Sequence, residues 1–189
     1  MRGRSRNSLF TKQMPTKYAM RLAYEGTDFC GWQIQKGRPR HGNHLPSIEG
    51  TVTAAVAELC GEPVTLVSSG RTDAGVHASG QVAHFSLETK RSEEHFADGI
   101  NALLPPSIRI LEVRTVPDSF HAQQSVQKQY SYYFQQGPTP LPHLRTQTYW
   151  NRAPLNVEAM NKACQTLQGE HDFSAFCGAG TRVATTVRT

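Results

Sequence analysis

The chain has 189 residues, of which 38% are apolar and 19% charged, and a formal net charge of +5. That much apolar surface offsets chain entropy, which excludes wholesale disorder and leaves room for one large or two small cores. The positive balance fits an anionic partner, although a solvated basic tail with no specific partner satisfies it equally well.

Cys30, Cys60, Cys164 and Cys177 lie far apart and form no C-x-x-C pair, so neither a zinc knuckle nor a disulfide framework is indicated. A reducing, cytoplasmic setting is expected. No run reaches the roughly 18 apolar residues of a membrane span, and the first 17 residues lack the apolar stretch of a secretory signal. No membrane partner is expected; a transit peptide is the minor alternative for this Arg- and Ser-containing start.

In chain order, Arg2, Arg4, Arg6, Lys12, Lys17 and Arg21 all precede the first acid, Glu25, and residues 1–16 read as a disordered basic arm. Residues 18–24 alternate as a strand. The stretch 36–44 carries Lys36, Arg38, Arg40, His41 and His44 among Gly, Pro and Asn, which predicts an exposed basic loop. From Ser47, a good N-cap, Ile48, Val52, Ala55, Val56 and Leu59 recur at helical spacing until Gly61 stops the helix.

A short β-branched run over 64–69 precedes a loop of small residues over 70–79. A strand over 81–87 follows, with Gln81, Ala83, Phe85 and Leu87 on one face. A second helix is predicted over 92–103, ended by Pro105 and Pro106. Then comes a strand over 108–116 in which Ile108, Ile110 and Glu112 face away from Leu111 and Val113. Residues 17–117 therefore read β-α-β-β-α-β. The fold class is α+β, of the ferredoxin-like, split βαβ kind, with helices over one face of an antiparallel sheet.

Residues 118–189 read as a partial second α+β module. A strand-like run spans 129–134, and a Pro-rich loop spans 137–142. A helix is predicted over 156–168 with Val157, Met160, Ala163, Cys164 and Leu167 inward, and the end of the chain looks like the start of a strand. One helix and so few strands do not close a sheet. The expectation is a chain that stops in mid-domain and leaves apolar faces exposed.

The densest cluster of reactive residue types is Gly70-Arg71-Thr72-Asp73-Ala74-Gly75-Val76-His77. Small residues let the backbone approach a ligand, and a nearby guanidinium favours an ionised carboxylate, so Asp73 suits a nucleophile or base. The same residue types also make an ordinary turn in which Asp caps the backbone and Arg pairs at the surface.

The whole octapeptide, however, resembles the active-site signature of the TruA family of tRNA pseudouridine synthases. The segment Tyr24-Glu25-Gly26-Thr27-Asp28-Phe29-Cys30-Gly31-Trp32-Gln33 is similar to a second block of that family. Phe120-His121-Ala122, Lys128-Gln129-Tyr130-Ser131-Tyr132 and 169–176 resemble three more, in order. The likeness runs from Tyr18 to the end.

The resemblance implies a pseudouridine synthase fold and the isomerisation of uridine to pseudouridine in tRNA. It makes Asp73 the nucleophilic carboxylate, Tyr130 the ring against the target uracil and Arg71 a group near the phosphate or flipped nucleotide. From the residues alone, Tyr130 reads equally as a buried strand aromatic and His77 as a structural loop histidine. Nothing is consumed in the isomerisation, so neither cofactor nor metal is implied.

The implied substrate is the anticodon stem-loop, with the target nucleotide extruded at a cost of a few kcal/mol in unstacking. The basic loop and Arg21 are available to offset that cost. A homodimer is implied if the second module is complete. The family continues past the point matching Thr189 with a Phe-Leu/Val-x-x-Met-Val-Arg type segment whose arginine pairs with the catalytic aspartate. A truncated, non-catalytic tRNA-binding protein is therefore the alternative, and a hydrolytic nucleoside glycosidase a third reading.

Overall fold

A computed structural model describes residues 14–35, 45–88, 90–178 and 185–189. Residues 1–13 of the expected arm and the basic loop 36–44 lie outside the described residues. The chain divides into two units, Met1–Tyr130 and Ser131–Thr189. Among the described residues no helix is long and apolar enough to cross a membrane.

The first unit is α+β. Its elements are strand β1 (Thr16–Tyr24), helix α1 (Ile48–Cys60), strands β2 (Val67–Ser68) and β3 (Ala78–Leu87), helix α2 (Phe96–Leu103) and strand β4 (Ile108–Thr115). The sheet runs β2-β3-β1-β4 with every neighbouring pair antiparallel. Register follows from burying alternate residues: Tyr18 lies opposite Phe85 and Met20 opposite Ala83. These side chains, with Leu22 and Leu87, meet Ile48, Val52 and Val56 of α1 and Phe96 and Ile100 of α2 in one core.

Helix α1 forms where the spacing predicts. The Ser47 side chain accepts from Gly50 N–H at 3.1 Å, and Gly61 N–H donates back to Ala57. One expected inward residue departs from this pattern. Leu59 remains 36% exposed at the helix edge and Cys60 takes the buried place. Removing the cap by Ser47→Ala is expected to cost about 1 kcal/mol, read as a fall of several degrees in the thermal midpoint.

Strand β4 departs from simple alternation. Arg21 pairs with Glu112 but Leu22 pairs with Ile110, so Leu111 is an extra, unpaired residue in a β-bulge. The bulge flips the parity. Ile108, Ile110 and Val113 all face the core, Leu111 is 42% exposed, and Glu112 comes within 3.8 Å of Arg21 instead of sharing a face with the isoleucines. Arg21, expected to serve RNA, thus has a carboxylate neighbour.

Helix α2 starts four residues later than predicted. The segment before it is held by the sheet: Glu93 accepts Thr115 N–H, Tyr18 hydroxyl bonds both Arg91 N–H and carbonyl, and His95 sits at φ 57°. A left-handed residue cannot continue a right-handed helix upstream.

On the outer face of β3, His84 is buried beneath residues 120–122. Its Nδ1 accepts Ala122 N–H at 3.2 Å, and its ring centroid lies 4.9 Å from that of His121. Lys17 ties down the same segment by donating to the Asp118 and Phe120 carbonyls. Burial first, then His121 and Lys17, pushes the His84 imidazole below its usual range. The unfolded chain therefore binds the proton more readily, and stability is lost as pH falls below about 6.5. Thermal midpoints measured from about pH 5 to 7 should rise with pH, and His84→Gln should flatten that slope.

The second unit holds strands β5 (Phe134–Gln136) and β6 (Tyr149–Asn151), paired in parallel. It also contains helix α3 (Val157–Gln165) and the pair β7 (His171–Asp172) and β8 (Val187–Arg188). The strand expected over 129–134 forms only from Phe134, because the β5 ladder spans three residues. The helix expected from Asn156 begins at Val157, and Asn156 instead caps it by accepting Ala159 N–H. The residues expected to face inward do not: Val157, Met160, Ala163, Cys164 and Leu167 are exposed, and no described residue of this unit is buried. Among the described residues no layer covers that face of the helix.

Candidate active site

The loop from Gly70 to His77 leaves β2 and enters β3, so its two ends are fixed by neighbouring strands. Asp73 opens a tight turn in which Val76 N–H donates to the Asp73 carbonyl at 3.3 Å. Gly75 occupies the third position at φ 79°, a left-handed geometry that glycine adopts without steric cost. The turn leaves Asp73, Ala74 and Val76 exposed.

Behind the loop, residues 24–33 form a brace made largely of main chain. Trp32 N–H donates to the Thr72 carbonyl at 2.9 Å. Tyr24 and Thr72 share a hydroxyl hydrogen bond at 2.9 Å, and Gly26 N–H donates to His77 Nδ1 at 3.3 Å. Burial raises the Tyr24 phenol above its usual value against opposing hydrogen bonds from Thr72 and Gln81, so it serves as a neutral partner. Buried Gly26 lets the two segments touch: a Cβ there would lie 2.0 Å from the Val76 carbonyl oxygen. No side chain fits.

The brace is itself seated on α1. Ile48 N–H donates to the Gly31 carbonyl, Glu49 N–H to the Trp32 carbonyl, and the Glu49 carboxylate accepts Ile34 N–H. These bonds satisfy helix N-terminal donors that have no partner within the helix. On the other side Gln81 holds the loop entrance, donating to the Gly70 carbonyl at 2.7 Å while its own oxygen accepts from Ser69 hydroxyl and Val82 N–H. In the sequence Gln81 reads only as one residue of a strand face. The available signal was a polar residue among apolar alternates.

The structure brings Arg71 and Asp73 together on one exposed loop, with no ion pair within 4.0 Å between them among the described residues. Arg71 lines a cleft of about 160 Å³ with Trp32, Gln33, Glu49, Ser68 and Gln123, among others. That is below the roughly 300 Å³ of an ordinary small-molecule pocket. Asp73 and Tyr130 do not line it. Tyr130 is 70% exposed and outside any strand, not a buried strand aromatic. A larger hollow of about 460 Å³ lies in the second unit, but its lining of Gln136, Gly137, Pro138, Arg152 and Pro154 carries no nucleophile or base for this chemistry.

Residues 20–123, which contain the whole brace and loop, match the family described as tRNA pseudouridine synthase. The chain is 39% identical over 166 residues to tRNA pseudouridine synthase A of Hydrogenovibrio crunogenus, covering 87% of this chain and 61% of that protein. It is 41% identical over 173 residues to the enzyme of the same name from Nitratidesulfovibrio vulgaris, covering 89% and 56%. With that from Bdellovibrio bacteriovorus it shares 39% over 179 residues, covering 93% and 66%. The chain thus spans between 56% and 66% of the length of these relatives. It belongs to the tRNA pseudouridine synthase family.

Proposed function

We propose that this protein isomerises uridine to pseudouridine in tRNA, with Asp73 as the nucleophilic carboxylate. The observation that carries the proposal is the braced turn. It holds an exposed carboxylate at a fixed place on a rigid sheet, without a neighbouring ion pair to occupy it. In the reaction the N1–C1′ bond breaks and a C5–C1′ bond forms. C5 loses a proton and N1 gains one, so substrate and product have the same composition. A carboxylate serves such a sequence as nucleophile or as proton acceptor.

In this reading Arg71 contacts the RNA backbone or the flipped nucleotide, and exposed Tyr130 stacks on the uracil once it leaves the helix. The substrate is the anticodon stem-loop, the setting is the cytoplasm, and the working form is a homodimer where the second module is complete. Residues 17–117 form the ferredoxin-like half of a pseudouridine synthase fold and 118–189 part of its second α+β module.

The test is incubation with unmodified tRNA, followed by mass-spectrometric or carbodiimide detection of pseudouridine, with Asp73→Asn alongside. Pseudouridine from the parent alone supports the assignment. Release of free uracil would replace it with a glycosidase, and tRNA binding without product from either chain would replace it with a non-catalytic binder.

A further inference from the structure

Gln81 interrupts an apolar face. It begins the series that Ala83, Phe85 and Leu87 continue into the core, where a leucine would complete the alternation with no polar group to desolvate. A half-buried amide at that place costs stability unless its atoms find partners, so its contribution lies in its hydrogen bonds.

Those partners also fix its orientation. Val82 N–H can only donate, so the amide atom 3.2 Å from it is the oxygen, which also accepts from the Ser69 hydroxyl at 2.6 Å. The nitrogen is thereby turned to the loop. One N–H reaches the Gly70 carbonyl at 2.7 Å, and the Tyr24 hydroxyl takes a hydrogen bond from the same amide. Tyr24 in turn shares a 2.9 Å hydrogen bond with Thr72 Oγ1. One amide thus holds the first residue of the loop directly and, through one phenol, the residue that precedes Asp73.

Resting on the proposed action of Asp73 on tRNA, we infer that Gln81 is a positioning residue, whose N–H groups, given to the Gly70 carbonyl and the Tyr24 hydroxyl, fix the main chain that carries Asp73. Its role is donation and not bulk. Gln81→Glu separates the two, because it keeps the shape of the side chain. While ionised it can still accept from Ser69 and Val82, but it has nothing to donate and faces the Gly70 carbonyl oxygen to oxygen. Protonation returns one donor. Desolvation and the facing carbonyl both favour the neutral acid, which moves its titration upward from the usual value of about 4.3. Of the groups bonded to this amide only the Tyr24 phenol titrates, and burial first of all holds it above its usual value, so it stays neutral.

The test compares the full chain with Gln81→Glu and Gln81→Met on an unmodified tRNA transcript, from mildly acidic to mildly alkaline pH. At the alkaline end Gln81→Glu should lower kcat and kcat/KM together, on the order of 10²-fold. Dividing by the parent's kcat at each pH removes the titration of Asp73 and of the RNA. That ratio should climb several-fold as the pH is lowered and the acid regains its proton. Gln81→Met, with no donor at any pH, should be slow with a flat ratio. Tyr24→Phe should lower kcat less than Gln81→Met does, and should add little to it in the double variant. Parental kcat in a folded Gln81→Met protein, a flat ratio for Gln81→Glu, or additive losses in the double variant would overturn the inference.

A second readout needs no turnover. The Gly70 carbonyl and the Arg71 N–H belong to one peptide group, so the Arg71 amide nitrogen resonance reports the hydrogen bond that Gln81 makes. It should titrate in Gln81→Glu with the midpoint of the activity ratio, over and above any movement in Gln81→Met, in spectra that also show each variant folded. No such excess would sink the inference. Absence of pseudouridine from the parent would instead sink the proposed reaction, and the Arg71 titration would then decide by itself whether Gln81 holds the loop by donation.

Discussion

Asp73→Asn is expected to abolish pseudouridine formation, with a loss on the order of 10⁴-fold or more in kcat, the scale seen when a nucleophile or its essential partner is removed. The amide is close in shape to the carboxylate and the side chain is exposed, so the turn that carries it should survive. Its closing bond uses the Asp73 carbonyl and not the side chain. Thermal unfolding should therefore be nearly unchanged, and tRNA affinity should fall little, because the proposed contact to the RNA backbone lies on Arg71. A quantitative pseudouridine assay run beside a binding titration separates these effects. Residual activity above a percent of the parent would remove Asp73 from the chemistry.

Gly26→Ala is expected to lower kcat/KM on the order of 10²-fold, although Gly26 has no side chain to offer a substrate. The added Cβ would sit 2.0 Å from the Val76 oxygen and 2.8 Å from its carbonyl carbon, both main-chain atoms. Ordinary contact needs well over 1 Å more, and either the brace or the loop must move to provide it. Misplacing a catalytic group by about 1 Å costs about 10²-fold in rate. Because the conflict falls on the loop and not on the core, far-ultraviolet circular dichroism should keep the parental spectrum while activity drops. Parental activity in a folded Gly26→Ala protein would show that the close approach is not what sets the position of Asp73.

Much of the first unit is legible in its residues. Helix α1 is written in the spacing from Ile48 to Val56 between Ser47 and Gly61, and β1 in the alternation around Tyr18, Met20 and Leu22. The departures have local causes. The Leu111 bulge is set by how β4 meets Arg21 and Leu22 of another strand, which no single-strand pattern encodes. Strand β3 begins at Ala78 and not near Gln81 because the Ala78 backbone pairs with Tyr24, a pairing that the small residues Ala78, Ser79 and Gly80 do not announce by alternation. Helix α2 loses its predicted first turn because Glu93 and Arg91 bond to the sheet.

The apolar stripe of α3 is plain in the sequence, but a stripe says only which side would be buried, and the described residues supply nothing to bury it. At the site, the octapeptide and the segment 24–33 stand out as two separate blocks. Their union is invisible beforehand because it rests on peptide groups: Trp32 N–H to the Thr72 carbonyl, and Gly26 against Val76.

That main-chain brace also sets how the loop can come apart. The Trp32 main chain donates forward to Thr72 and accepts from Glu49 at the start of α1, while Ile48, the first residue of that helix, is buried in the core. Freeing the loop therefore strips partners from the first turn of a helix packed on the sheet. Its opening is coupled to that of the core and does not proceed as independent fraying, so the loop shares the cooperative free energy of the unit and not the low stability usual for a surface connection.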